Sequence, residues 1–188
     1  MRPRPYASGV PPDPFDTLGL RPRYDLDPGE VQNAYLRRSA KLHPDLAGGD
    51  PDAPRLAAEL NQAKTTLDDP ERRADALLVR LGGPTRSEEK RLPDGFLFEI
   101  MEIREAIEGA IASGGAAERA KWEAWARDQR AEYVRKVGAM FAAIGPESDR
   151  DALRAIRVEL NAWRYIERLI EQLDPDYDPQ RADFGAER

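Results

Sequence analysis

Three Asp-Pro pairs, Asp13-Pro14, Asp27-Pro28 and Asp69-Pro70, constrain the fold of this chain more than any other feature. An aspartate before a helix accepts hydrogen bonds from the free N–H groups of the first turn. Proline fits that turn because its missing N–H would have no helical partner there. Each pair therefore marks a helix start. The first helix runs from about Asp13 to Leu18 and stops at Gly19. The second covers about Pro28 to Leu42, with Val31, Tyr35 and Leu42 on one face and an acidic capping box of Asp27 and Glu30 at its start. Pro44 ends it, since the residue before a proline is pushed out of helical geometry. After a loop containing Gly48-Gly49, Leu56, Leu60, Ala63 and Leu67 recur at helical spacing over about Ala53 to Leu67. A fourth helix runs from Pro70 to about Leu81 and closes at Gly82-Gly83.

The second half follows the same rule. Residues 84–93 read as a polar linker. Helices are expected over about Asp94 to Ala112, Ala116 to Ile144 and Asp149 to Leu173, interrupted by Ser113-Gly114-Gly115 and Gly145-Pro146. Short connections make such neighbours antiparallel. The expected fold is all-α: an antiparallel helical hairpin with short flanking helices in residues 13–83, then a three-helix bundle in 94–173. Residues 1–12 and the tail from Asp174 have little apolar content and are expected to be disordered.

Composition narrows the function. The net charge of −6 argues against nucleic acid as a partner, because phosphate binding wants a basic surface. The absence of cysteine and the single histidine leave no thiol nucleophile and no multi-histidine metal site, so neither a metal nor another cofactor is expected. No apolar run reaches membrane-spanning length, and the Pro- and Arg-rich N-terminus has no apolar stretch like that of a secretory signal. The cytoplasm is the expected location. Glu99, Glu102 and Glu105 lack a paired ligand or nucleophile, so the chain is not read as an enzyme.

His43, Pro44 and Asp45 fall in the loop of the hairpin, where Pro44 restricts the backbone between two polar side chains. Just before it the second helix carries Arg37, Arg38 and Lys41, with no acid between Leu36 and Leu42. Such a patch suits an acidic partner surface. On the tripeptide alone, a helix stop beside a solvated basic face accounts equally well for these residues.

The surrounding residues resemble the J-domain family. The match includes Asp13-Pro-Phe-Asp-Thr-Leu-Gly-Leu20, Ala34-Tyr35, Lys41-Leu42-His43-Pro44-Asp45, Leu60-Asn61-Gln62-Ala63 and Asp69-Pro70-Glu71-Arg72-Arg73, in the family's order. The resemblance implies a DnaJ-like domain that binds an HscA/DnaK-type heat-shock ATPase and stimulates its hydrolysis. His43, Pro44 and Asp45 would then bias the chaperone, and Arg37 and Lys41 would dock on its acidic surface. Arg38 departs from the family pattern, where an apolar residue is common. Its stem is expected to pack while its charge stays in water.

In the second half, Phe96, Ile100, Ile103 and Ile107 make one stripe that suffices for a bundle core. Leu97, Phe98 and Met101 lie to its side, beside Glu102 and Glu105. A wide core stripe explains this pattern, and so does a partner surface. The run Phe96-Leu-Phe-Glu-Ile-Met-Glu-Ile-Arg-Glu105 resembles the helix that follows the J-domain in the HscB family. Arg73-Ala-Asp-Ala-Leu-Leu-Val-Arg-Leu-Gly82 and Arg164-Tyr165-Ile-Glu-Arg-Leu169 agree. That resemblance implies a co-chaperone of iron–sulfur cluster assembly whose C-terminal domain binds an IscU-like scaffold protein. The implied contacts are Leu97, Phe98, Met101, Glu102, Glu105 and Tyr165. Gly109 stands where a further acidic contact is common. Regulation of another client by a J-domain is the alternative, followed by a purely structural helical protein.

Overall fold

The computed structural model describes residues 12–42, 51–145 and 149–173. His43, Pro44 and Asp45, like residues 1–11 and 174–188, lie outside the described residues. Among the described residues there are seven α-helices and no strand. The chain divides into two compact units after Gly82.

In the first unit the pairs at 13, 27 and 69 start helices. Asp13 accepts from the backbone N–H of Phe15 at 2.8 Å and Asp16 at 3.2 Å, opening α1, Pro14–Leu18. Asp27 does the same for Gly29 and Glu30 at 2.8 and 3.3 Å, opening α2, Pro28–Ser39. Asp69 accepts from Arg72 at 2.9 Å, opening α4, Pro70–Arg80. The carboxylate of Glu30 pairs with Arg23 at 2.5 Å. The second helix is shorter than its sequence suggests, since the chain tightens into a 3₁₀ turn over Ala40–Leu42 before the proline. α3, Ala53–Asp68, packs back against α1 and α2. A hydrogen bond of 2.8 Å from the Tyr35 hydroxyl to Asn61 also joins α2 to α3.

The core of this unit takes Phe15, Leu18, Val31, Ala34, Leu60, Ala63, Leu67, Leu77 and Leu78. Two arginines lock its edges. Arg80 bridges Asp13 and Asp16 at 2.7 and 3.0 Å, joining the end of α4 to the start of α1. Buried Arg73 donates to the Leu67 carbonyl at 2.8 Å and lies 5.3 Å from the centre of the Tyr24 ring. Burial pushes the Tyr24 phenol up to about 12, against the opposing pull of Arg73.

The second unit contains α5, Phe96–Ser113, α6, Ala116–Ala142, and α7, Arg150–Leu173. α5 ends at Gly114, which takes the left-handed conformation (φ 64°) that glycine adopts without strain. α7 contributes most to the core, burying Leu153, Ile156, Leu160, Trp163, Ile166, Leu169 and Leu173. Trp163 stacks on Tyr133 of α6 with ring centroids 5.8 Å apart. Its indole N–H donates to Glu167 at 2.8 Å, and Glu167 also pairs with Arg130 of α6. Phe96, Ile100, Ile107, Ala126, Ala162, Ile166 and Leu169 form one cluster shared by the three helices.

The segment 84–91 is strapped to α7 rather than standing free as a polar connection. Buried Arg157 donates to the Pro84 carbonyl at 2.8 Å. Buried Asn161 donates to the carbonyls of Glu89 and Arg91, both at 2.9 Å. Leu92 then packs against the shared cluster and leads into α5.

Candidate functional site

Two surfaces carry the residues that the sequence singles out. The first is the end of α2. Arg37 and Lys41 are exposed there. With Arg38 they edge a groove of about 1040 Å³ that is also lined by Leu18, Ala34, Leu56 and Leu60. Arg38 is exposed, and its guanidinium lies beside Gly19 at the end of α1. A Cβ placed on Gly19 would fall 2.2 Å from its Nη2. Gly19 holds φ 66° at the α1 cap, and that backbone angle is what calls for glycine there. His43, Pro44 and Asp45 follow Leu42 in sequence, outside the described residues.

The second surface is the outer face of α5. A helix of 3.6 residues per turn that buries Phe96, Ile100, Ile107 and Ala110 turns positions 97, 98, 101, 105 and 108 outward. Leu97 is 55 % exposed, Phe98 72 % and Met101 68 %. They are neighbours at i+3 and i+4 spacing. Tyr165 of α7 is 40 % exposed. Its ring meets that of Phe96 edge-on, with centroids 6.0 Å apart and planes at 69°. Phe96 is thus both a core residue and a platform for Tyr165. Glu102 and Glu105 are exposed on the polar side. Arg104 pairs with Glu108 at 2.7 Å.

Other than these four, only Leu36 and Val79 are large exposed hydrophobic residues among the described ones. Among the described residues of the C-terminal unit, three of the four large exposed hydrophobic side chains therefore lie on α5. A Cβ on Gly109 would meet nothing within 4 Å, so no packing demand accounts for the glycine.

Leu97, Phe98 and Met101 share the outward face of α5 with Glu102 and Glu105 exposed beside them, and Tyr165 stands against Phe96 at the start of that helix. The structure also shows a support that sequence reasoning missed. Asn161, one turn before Tyr165 on α7, anchors the strap that leads into α5. The polar side chain among Leu160, Ala162 and Trp163 was the available signal. Among the described residues no group of three or more His, Cys, Asp or Glu could hold a metal ion, and no helix is long and apolar enough to cross a membrane.

Comparison with known proteins places both units in known families. The DnaJ domain family matches residues 13–75, and the family described as the HSCB C-terminal oligomerisation domain matches residues 92–174. The co-chaperone protein HscB homolog of Burkholderia mallei is 32 % identical over 165 residues, covering 82 % of this chain and 94 % of its own. Among solved structures, the chaperone HscB from Vibrio cholerae superposes with a TM-score of 0.67 at 23 % identity, over 86 % of this chain and 94 % of its own. The human co-chaperone protein HscB gives a TM-score of 0.67 at 22 % identity, over 89 % and 83 %. These two structures agree in fold. With a DnaJ domain followed by an HSCB C-terminal domain, and a curated relative matched over nearly its whole length, the chain belongs to the HscB family of J-domain co-chaperones.

Proposed function

We propose that this protein is a two-site adaptor of iron–sulfur cluster assembly in the cytoplasm. Its J-domain engages and activates an HscA/DnaK-type ATPase through His43, Pro44, Asp45, Arg37 and Lys41. Its C-terminal unit carries an IscU-like scaffold protein on Leu97, Phe98, Met101 and Tyr165, with Glu102 and Glu105 orienting the docked surface. The protein does no chemistry of its own. It contributes a coupling free energy that favours the hydrolysis-competent state of another protein.

The observation that carries this reading is the exposed apolar patch on α5. Burying it against the bundle would have been favourable, yet the helix turns it to solvent. Exposed patches of this kind, rimmed by polar groups, mark partner surfaces. The apolar residues supply affinity through desolvation, while the carboxylates add orientation and association rate.

The test uses the full chain with purified chaperone and scaffold. His43→Gln should abolish stimulation of the chaperone ATPase while leaving scaffold binding intact. Leu97→Ala combined with Phe98→Ala should weaken scaffold binding by roughly a hundredfold, at about 1–2 kcal/mol per truncated anchor, and leave scaffold-independent stimulation in place. Normal stimulation by the histidine variant would reject the loop assignment, and unchanged scaffold affinity in the double variant would reject the α5 surface. The description of the matching family as an oligomerisation domain favours a second reading, in which the same patch joins two copies of this chain. Sedimentation of the free protein across concentration decides between them: a dimer lost in the double variant supports self-association.

A further inference from the structure

Met101 sits at the centre of the α5 patch, four residues after Leu97 and three after Phe98, and is 68 % exposed. The chain has three methionines and no cysteine, so no thiol of its own intercepts a peroxide before it reaches that sulfur. Met140 on α6 is half-buried. The apolar neighbours on the patch, Leu97 and Phe98, resist peroxide. We propose that Met101 is a reversible oxidation site that controls occupancy of this surface. Hydrogen peroxide converts its thioether to a sulfoxide, and the docked protein is released. The inference rests on reading the patch as the scaffold site.

The chemistry balances without any bound cofactor. A lone pair on Sδ attacks one peroxide oxygen, and the S–O bond forms as the O–O bond breaks. The departing hydroxide takes up the proton and leaves as water. The thioether is oxidised by two electrons and the peroxide is reduced. Reduction by the dithiol of a methionine sulfoxide reductase restores the thioether and yields water and a disulfide in the reductase.

The consequence for docking follows from the surroundings of the sulfur. A partner seated on Leu97, Phe98 and Met101 strips water from all three. A thioether loses little in that transfer, whereas a sulfoxide oxygen is a strong acceptor that needs a donor once dry. As carboxylates, Glu102 and Glu105 can accept but not donate, and they repel the partial negative charge on the new oxygen. Arg104, the nearest cation on the same helix, is engaged with Glu108 at 2.7 Å. The sulfoxide therefore loses hydration on docking and gains no partner from α5.

The experiment treats the full-length protein with hydrogen peroxide, locates the oxidised residue by peptide mass spectrometry, and titrates the scaffold protein by calorimetry. Met101 should oxidise ahead of Met140. Scaffold affinity should then fall roughly tenfold, as for an unsatisfied polar group buried at an interface, and return after treatment with a sulfoxide reductase. Met101→Leu, whatever its starting affinity, should show the same value before and after peroxide, while Met140→Leu keeps the full loss. Unchanged affinity in a protein whose Met101 is fully oxidised overturns the inference and leaves the docking surface standing. An equal loss in Met101→Leu, or slower oxidation at Met101 than at Met140, also overturns it. Failure of the untreated protein to bind scaffold rejects the docking surface itself, and this inference with it.

Discussion

Glu89 is held as a carboxylate down to about pH 2. The Arg91 guanidinium donates to it at 3.0 and 2.8 Å, the Arg91 backbone N–H donates at 3.0 Å, and Arg154 approaches to 3.4 Å. Because the folded value lies below the ordinary 4.5, the native state binds this proton less readily than the unfolded chain. The stabilisation is complete above about pH 4.5 and is lost as pH falls toward 2. In urea titrations between those limits, Glu89→Gln should show a shallower fall of unfolding midpoint with acid than the parent protein; parallel curves would contradict the pairing. Tyr24 behaves oppositely. Its raised value makes its contribution complete below pH 10, and that contribution is lost as pH rises toward about 12. Neither effect was legible in the sequence. A Glu-x-Arg spacing is no helical pair, and the burial of Tyr24 depends on where Arg73 packs. The caps at Asp13, Asp27 and Asp69 were legible, because a cap bonds N–H groups only two or three residues away.

At the scale of elements, α5 shows how far periodicity reaches. It separates Phe96, Ile100 and Ile107 from Leu97, Phe98 and Met101 because angular position along a helix is fixed at about 100° per residue. Whether the second set faces solvent or another helix depends on what packs beside it, and the structure leaves it open. The segment 84–91 lies beyond that reach. It carries polar side chains and no periodicity, so locally it reads as a connection. Its carbonyls are satisfied by Arg157 and Asn161, some 70 residues away. Asn161→Ala should destabilise the C-terminal unit by about 1–2 kcal/mol, since two part-buried carbonyls lose their donor. A chemical denaturation curve indistinguishable from the parent would show that the strap contributes nothing. The 3₁₀ turn at Ala40–Leu42 is a similar local surprise: propensity favours continued helix, but the coming proline tightens the last turn.

At the scale of the whole molecule, the proposed chaperone and scaffold sites belong to different units of one chain. Covalent linkage makes the second binding event intramolecular, with an effective concentration on the order of millimolar for short connections. A mixture of His43→Gln protein with Leu97→Ala/Phe98→Ala protein supplies both sites on separate chains. At micromolar concentration the mixture should fail to restore scaffold-dependent stimulation of the chaperone. Full restoration would show that the sites need no linkage. The sequence by itself determined the helix starts, the two-part all-α order and the side chains on each face of α5. These depend on forces that act within a turn or two of the chain: caps, proline geometry and the helical repeat. Only the tertiary structure decided that Tyr165 stands against Phe96, that Arg38 covers Gly19 and that 84–91 is bound to α7. Those outcomes are set by contacts between residues distant in sequence, where burial and hydrogen-bond satisfaction choose among pairings that local pattern leaves equivalent.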